Sequence, residues 1–196
     1  MQVRLDKRAR IIADGGQAYP VDLLRDHTLV QVRQKYTDDT GELTLAPGEE
    51  TTDEVTVGGR VVFVRNTGKL CFASLQDGFT ETSNGERLQI MLSKAEVGDE
   101  SLAAWKSDVD LGDHVWVRGR VVVSRRGELS IMAAEWRMAS KALRPLPTLH
   151  KELSEETRVR RRYADLVVRE ESRQMVRTRA VITRAVRRAL DERGFL

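Results

Sequence analysis

A mainly β chain with flanking helices, built on one small barrel of five strands, is the fold this sequence predicts. Three observations carry it. Five strand-like runs follow one another between residues 55 and 140, with one helical insert before the last two. Helical periodicity is otherwise confined to the two ends of the chain. Glycines interrupt the strand patterns at Gly58, Gly59 and Gly119, where a small barrel must bend sharply.

Residues 1–54 come first, as an N-terminal helical extension followed by an acidic linker. "VRLDKRARIIADGG" reads as a short helix stopped by Gly15 and Gly16. "TDDTGELTLAPGEETTDE" carries seven acidic residues and no basic one, together with Gly and Pro, and is expected to be a solvated linker or loop.

Residues 55–140 hold the strands. "VTVGGRVVFVR", "KLCFASLQD" and "ERLQIMLS" are the first three. A helix around "DESLAAWKSD" follows, then "DHVWVRGRVVVS" and "GELSIMAAEWRMA". In the fourth strand Val115, Val117, Val121 and Val123 share one face, and His114, Trp116, Arg118 and Arg120 the other. Three strands, a helix and two strands is the order of an OB-fold barrel. The polar face of the fourth strand has two uses open to it, contact with RNA or packing against the C-terminal helices, and packing is the expectation.

"KALRPLP" opens residues 141–153, a stiff hinge with two prolines in three residues. In residues 154–196, "SEETRVRRRYADLVV" reads as one helix with Ser154 as N-cap and Glu155 and Glu156 in its first turn. A longer amphipathic helix then places Met175, Ile182, Val186 and Ala189 near one face, and Gly194 stops it. The apolar "GFL" at the end reads as the approach to a further strand, so the chain is expected to be part of a longer protein.

Composition narrows the class. Charged residues are 32% and hydrophobic residues 40% of 196, which suits a soluble globular protein, and no apolar run approaches a membrane span. No signal-peptide pattern opens the chain, so a cytoplasmic location without membrane is expected. A single cysteine, Cys71, excludes an internal disulfide, and the scattered His27, His114 and His150 suggest no zinc site. The net charge of +3 is unevenly spread: residues 141–196 balance to +7 and the rest to −4. That asymmetry fits a polyanion partner, and equally fits solvated arginine-rich helices.

Phe72 is the residue that does not fit a simple core. Alternation puts Cys71, Ala73 and Leu75 on one side of "KLCFASLQD", with Leu88, Ile90 and Leu92 as the matching interior set of the third strand. Phe72 then points outward, toward the face shared with Gln89 and Met91. The outer face over strands two and three of an OB barrel is a common seat of single-stranded nucleic acid. A ring there stacks on a base, a glutamine amide reads a base edge, and the nearby Arg65 meets phosphate or stacks. The alternative is that Phe72 packs beneath a loop or helix. Cys71, facing inward, is expected to be an inert small hydrophobe, and Trp105 and Trp136 core or domain-contact residues.

The segments "VGGRVVFVRNTGKLCFASLQD", "LGDHVWVRGRVVVSRRGELSI", "KALRPLP", "RRRYADL" and "RRALDERGFL" follow one another in the order seen in bacterial lysyl-tRNA synthetases. The chain resembles that family, in its actinobacterial form, over roughly residues 55–196. The resemblance implies an OB barrel that binds the anticodon loop of lysine tRNA. It matches Phe72 to a stacking phenylalanine, Gln89 to a base-reading glutamine, Arg65 to the arginine before the first turn and Glu128 to the glutamate of "GELSI". It implies that residues 154–196 begin a class II catalytic domain, whose remaining motifs are not in these residues. ATP and Mg2+ would serve the full-length enzyme, a homodimer, and neither would serve this part, which holds no catalytic residue and is expected to be inactive alone. One departure is "GFTETSNGE", within the loop at residues 78–86, longer than the usual turn. Two other functions are weighed: a stand-alone single-strand-binding OB protein, and the synthetase-like module of a lysyl-phospholipid synthase.

Overall fold

The computed structural model describes residues 1–78, 85–147 and 153–195. Contacts divide the chain into two units. The first holds Met1–Gly78 and Glu86–Pro145, and the second holds the C-terminal helices.

The first unit is built on a closed barrel. Its strands are β1 (Glu50–Thr67), β2 (Leu70–Gln76), β3 (Arg87–Ser93), β4 (His114–Val123) and β5 (Leu129–Ser140), in the order β1-β2-β3-β5-β4. All neighbours are antiparallel except β3 and β5, which run parallel through Gln89–Ser130, Ile90–Ile131 and Met91–Met132. Closure leaves no free edge. The interior is filled by small and branched residues: Val57 and Val61 from β1, Cys71, Ala73 and Leu75 from β2, Leu88, Ile90 and Leu92 from β3, Val115, Val117 and Val121 from β4, and Ile131 and Ala133 from β5. Those of β2, β3 and β4 are the residues that alternation assigned inward. Gly119 marks the tightest point, since a Cβ there would lie 2.0 Å from the Met132 carbonyl oxygen.

Helices close the barrel. Between β3 and β4 lie α3 (Lys94–Val97) and α4 (Asp99–Asp108). From α4, Leu102 and Trp105 join the core. The rings of Trp105 and Trp136 meet edge to face at 5.1 Å.

Residues 1–54 are more than an appendage. Helix α1 (Gln2–Ala13) buries no residue but is tied down by polar links. Arg4 donates to the carbonyls of Ala142 and Leu111, and Lys7 pairs with Asp110 at 2.8 Å. A helix that the sequence reading did not anticipate, α2 (Leu29–Lys35), opens with a Thr28/Gln31 capping box and sends Leu29 and Val32 into the core. The acidic stretch also differs from expectation. β1 begins at Glu50, and its first residues pair with β4, Glu50 opposite Val122 and Glu54 opposite Arg120. The run looked like solvated linker because Glu50 and Glu54 have no local partner; theirs are Arg120 and Arg118 of β4, while Asp53 pairs with Lys35 of α2.

"KALRPLP" is likewise anchored at its start. Lys141 is fully buried, and its ammonium reaches Asp110 and Asp113 at 2.6 Å each. The rest of the expected hinge includes residues 148–152, which lie outside the described residues.

The second unit holds α5 (Glu155–Arg160), α6 (Arg162–Val168) and α7 (Glu170–Asp191). Ser154 caps α5 by accepting from the Thr157 N–H. The single helix expected over 154–168 is broken at Arg161, whose φ of −119° and ψ of 52° are not helical. The turn gathers polar groups on the buried Asp165, which accepts from Arg162 at 2.7 Å and Ser172 at 2.6 Å. On α7, Met175, Ile182 and Val186 stand exposed.

Candidate nucleic-acid interface

A slip in β1 shapes the outer face of the barrel. Val55, Val57 and Val61 point inward at every second residue, so strict alternation would also bury Phe63 and Arg65. The register shifts instead: Val61 faces Leu75, but Phe63 faces Ser74. The extra residue of this bulge turns the strand over. Val61 and Val62 are both buried, Phe63 is 53% exposed and Arg65 is exposed.

The result is a groove of about 960 Å³ across the outer face. Its walls include Phe63, Arg65, Phe72, Gln89, Met91, Arg125, Arg126, Glu128 and Met132. All four residues singled out from the sequence are thus brought together. Arg65 and Phe72 are cross-strand partners, and the guanidinium lies 4.7 Å from the ring centroid, a cation–π contact. Phe72 is half-buried, with Met91 as its neighbour on β3. Gln89 Nε2 donates to Ser130 Oγ at 2.8 Å, and Ser130 Oγ donates to the Glu128 carbonyl at 2.9 Å. That relay holds the amide in place on β3 beside the β4–β5 turn. The turn closes through the Ser124 N–H on the Glu128 carbonyl, with Gly127 at a φ of 82°. It presents the exposed Glu128 together with Arg125 and Arg126.

Charge pairing separates this face from that of β4. Arg65, Arg125, Arg126 and Glu128 have no ion-pair partner among the described residues. On β4, Arg118 bridges Glu54 at 3.0 Å and Glu135 at 2.9 Å, while Arg120 bridges Glu50 at 3.0 Å and Glu96 at 2.9 Å. Hydrogen bonds and charge from these carboxylates raise both guanidinium pKa values, and Arg120 in turn holds Glu96 below the usual carboxylate range. Trp116 donates to the Leu24 carbonyl at 2.7 Å and lies under Arg137. Within the first unit, Trp116, Arg118 and Arg120 therefore find partners in the barrel's own carboxylates and the N-terminal segment. The reason is that the acidic run of β1 and the arginines of β4 are remote in sequence and adjacent in the sheet.

Sequence reasoning missed Phe63, Arg125 and Arg126 as groove residues. "SRRG" between two strands was a signal for exposed turn arginines. Phe63 had none, because a bulge is not written in the alternation it interrupts. Cys71 is fully buried, and burial pushes its thiol pKa up, away from reactivity. The loop "GFTETSNGE" falls mostly on residues 79–84, outside the described residues. Among the described residues no three His, Cys, Asp or Glu side chains are grouped to hold a metal, and no helix is long and apolar enough to cross a membrane.

Comparison with known proteins bears on the same region. Residues 55–139 match the model of an OB-fold nucleic acid binding domain. Along its whole length the chain is 59% identical over 196 residues to the lysine–tRNA ligase of Kineococcus radiotolerans, covering 37% of that protein. It is 54% identical over 195 residues to that of Mycobacterium tuberculosis, covering 36%. It is also 37% identical over 197 residues to the lysylphosphatidylglycerol biosynthesis bifunctional protein LysX of Rhodococcus jostii, covering 16%. The chain thus spans little more than a third of the ligases it matches. Residues 55–139 thus match an OB-fold nucleic-acid-binding domain, in a chain similar from end to end to the N-terminal part of lysine–tRNA ligases.

Proposed function

We propose that this chain is the anticodon-binding part of a lysine–tRNA ligase, and that its groove holds the anticodon loop of lysine tRNA. The observation that carries the reading is the meeting of Arg65, Phe72, Gln89 and Glu128 on one groove of a nucleic-acid-binding fold. Each group has a use there. The Phe72 ring, backed by Arg65, stacks a base. A lysine anticodon is rich in uridine, whose edge offers two carbonyl acceptors and one N–H donor. The Gln89 amide and the Glu128 carboxylate suit that edge, and Arg65 suits a carbonyl or a phosphate.

The longer protein would attach lysine to its tRNA using ATP and Mg2+, with residues 154–196 as the beginning of its class II domain. No catalytic role is assigned to any residue of this chain. The exposed apolar residues of α7 fit a homodimer of the full-length ligase. The Rhodococcus jostii relative favours a second reading, a synthetase-like module of a lysyl-phospholipid-forming protein.

Titration of a lysine-tRNA anticodon stem-loop tests the proposal. Phe72→Ala should weaken binding by about 1–3 kcal/mol with little change in melting temperature. Gln89→Ala should cost less affinity but blur the distinction between uridine and cytidine. If Phe72→Ala leaves binding unchanged and lowers the melting temperature by several degrees, the ring is a packing residue and the reading fails. Equal affinity for an unrelated anticodon would also count against the ligase reading.

A further inference from the structure

We propose that Phe63 is a second base-stacking platform, taking the nucleotide beside the one on Phe72; the inference rests on the RNA-binding reading above. Within the five strands Phe63 is the one large hydrophobic residue that stands exposed. An isolated exposed apolar residue needs no explanation, but this one is exposed by a register shift. Without the bulge after Val61, alternation would turn the ring into the core. With it, the ring faces the groove. Bulges that re-aim side chains gather at binding sites.

Cross-strand register gives the ring its company. Two rows run side by side over the outer face. One is Arg65 on β1, Phe72 on β2, Met91 on β3 and Met132 on β5. The other is Phe63, Ser74, Gln89 and Ser130 on the same four strands. Each row therefore contains one aromatic ring, and the two rings are diagonal neighbours on adjacent strands, with Cα atoms about 7–8 Å apart. Successive bases of a single strand stack on aromatics arranged in this way. In the second row the small Ser74 separates Phe63 from Gln89. Two strand spacings, about 9–10 Å, lie between those positions. A base resting against Phe63 and across Ser74 presents its edge to the Gln89 amide, which the relay through Ser130 holds in place. The first row then stacks a base on the Phe72 ring, which Arg65 backs, and the second stacks and reads one. Stacking tolerates any base, so the selectivity of the second row comes from Gln89.

The test uses the whole chain and the lysine-tRNA anticodon stem-loop, with 2-aminopurine replacing the loop nucleotides one at a time. Phe63→Ala should weaken binding about 5- to 150-fold, the loss of one base–aromatic stack. Phe63→Trp should retain affinity, and Phe63→Leu should lose it as alanine does. The fluorescence quenching that accompanies stacking should be relieved at one nucleotide by Phe63→Ala and at its neighbour by Phe72→Ala. Wild-type affinity in Phe63→Ala or in Phe63→Leu would overturn the proposal. So would a lowered melting temperature with unchanged binding per folded molecule, which would mean that the ring packs against protein. If Phe72→Ala weakens binding and Phe63→Ala does not, the RNA-binding reading stands and the second platform falls. If wild type fails to bind, both fall.

Discussion

Two sets of arginines on the same barrel have opposite surroundings. Arg118 and Arg120, on the outer face of β4, each lie between two carboxylates. Arg65, Arg125 and Arg126, around the groove, have no ion-pair partner among the described residues, and Arg65 rests on an aromatic ring. The lesson is that a count of basic residues says little about where a polyanion binds. A guanidinium already neutralised by two carboxylates offers little field to a phosphate, and capturing it would first cost those pairs. A guanidinium left open on a concave face offers its full charge. The net charge of +3 conceals this division.

The largest effect that would test the division belongs to the paired side. Lys141 and Asp113 form a wholly buried ion pair, with Asp110 as a second acceptor. Lys141→Met removes the near cation of the buried Asp113 and leaves it only Arg4, at 3.9 Å. It should lower the unfolding free energy by about 3–5 kcal/mol, measured by urea denaturation. RNA affinity per folded molecule should not change, because these groups do not line the groove. Lost affinity at unchanged stability would break the comparison.

A smaller and sharper contrast comes from two matched substitutions. Arg65→Gln should weaken stem-loop binding and, if the guanidinium meets phosphate, lower the slope of log affinity against log salt by about 0.7. Arg118→Gln should leave affinity and slope as they are, and cost at most about 1 kcal/mol of stability, as exposed ion pairs do. Equal effects of the two on binding would mean that the carboxylates of β4 do not neutralise its arginines toward RNA.

The smallest effect is a pH dependence on the β4 side. Burial, then the nearby Arg60, hold His114 below the ordinary histidine pKa, with Asp113 opposing. The unfolded chain therefore takes up this proton more readily than the folded one. Stability associated with His114 is complete above about pH 6.5 and falls as pH drops through that value toward the lower folded pKa. Urea midpoints at pH 7.5 and 5.5 should differ for wild type, and less for His114→Gln. The groove contains no histidine, so RNA affinity should not follow the same profile.

The sequence by itself determined the barrel. Strand periodicity, inward valines and glycines at the bends identified five strands in their order, because a strand with one buried face writes its pattern locally, residue by residue. It also determined the outward direction of Phe72 and Gln89, which sit in the unbroken alternation of β2 and β3. What only the tertiary structure decided is where that local grammar is interrupted or completed at a distance. The bulge after Val61 reverses Phe63 and Arg65, and depends on how β1 pairs with β2. The acidic residues at the start of β1 became strand because arginines some 70 positions away stand opposite them. The seven-residue α2 is too short to show a helical period, and is held by Leu29 and Val32 in a core made by other segments. Charges and short elements take their meaning from neighbours, and closing the barrel is what makes those residues neighbours.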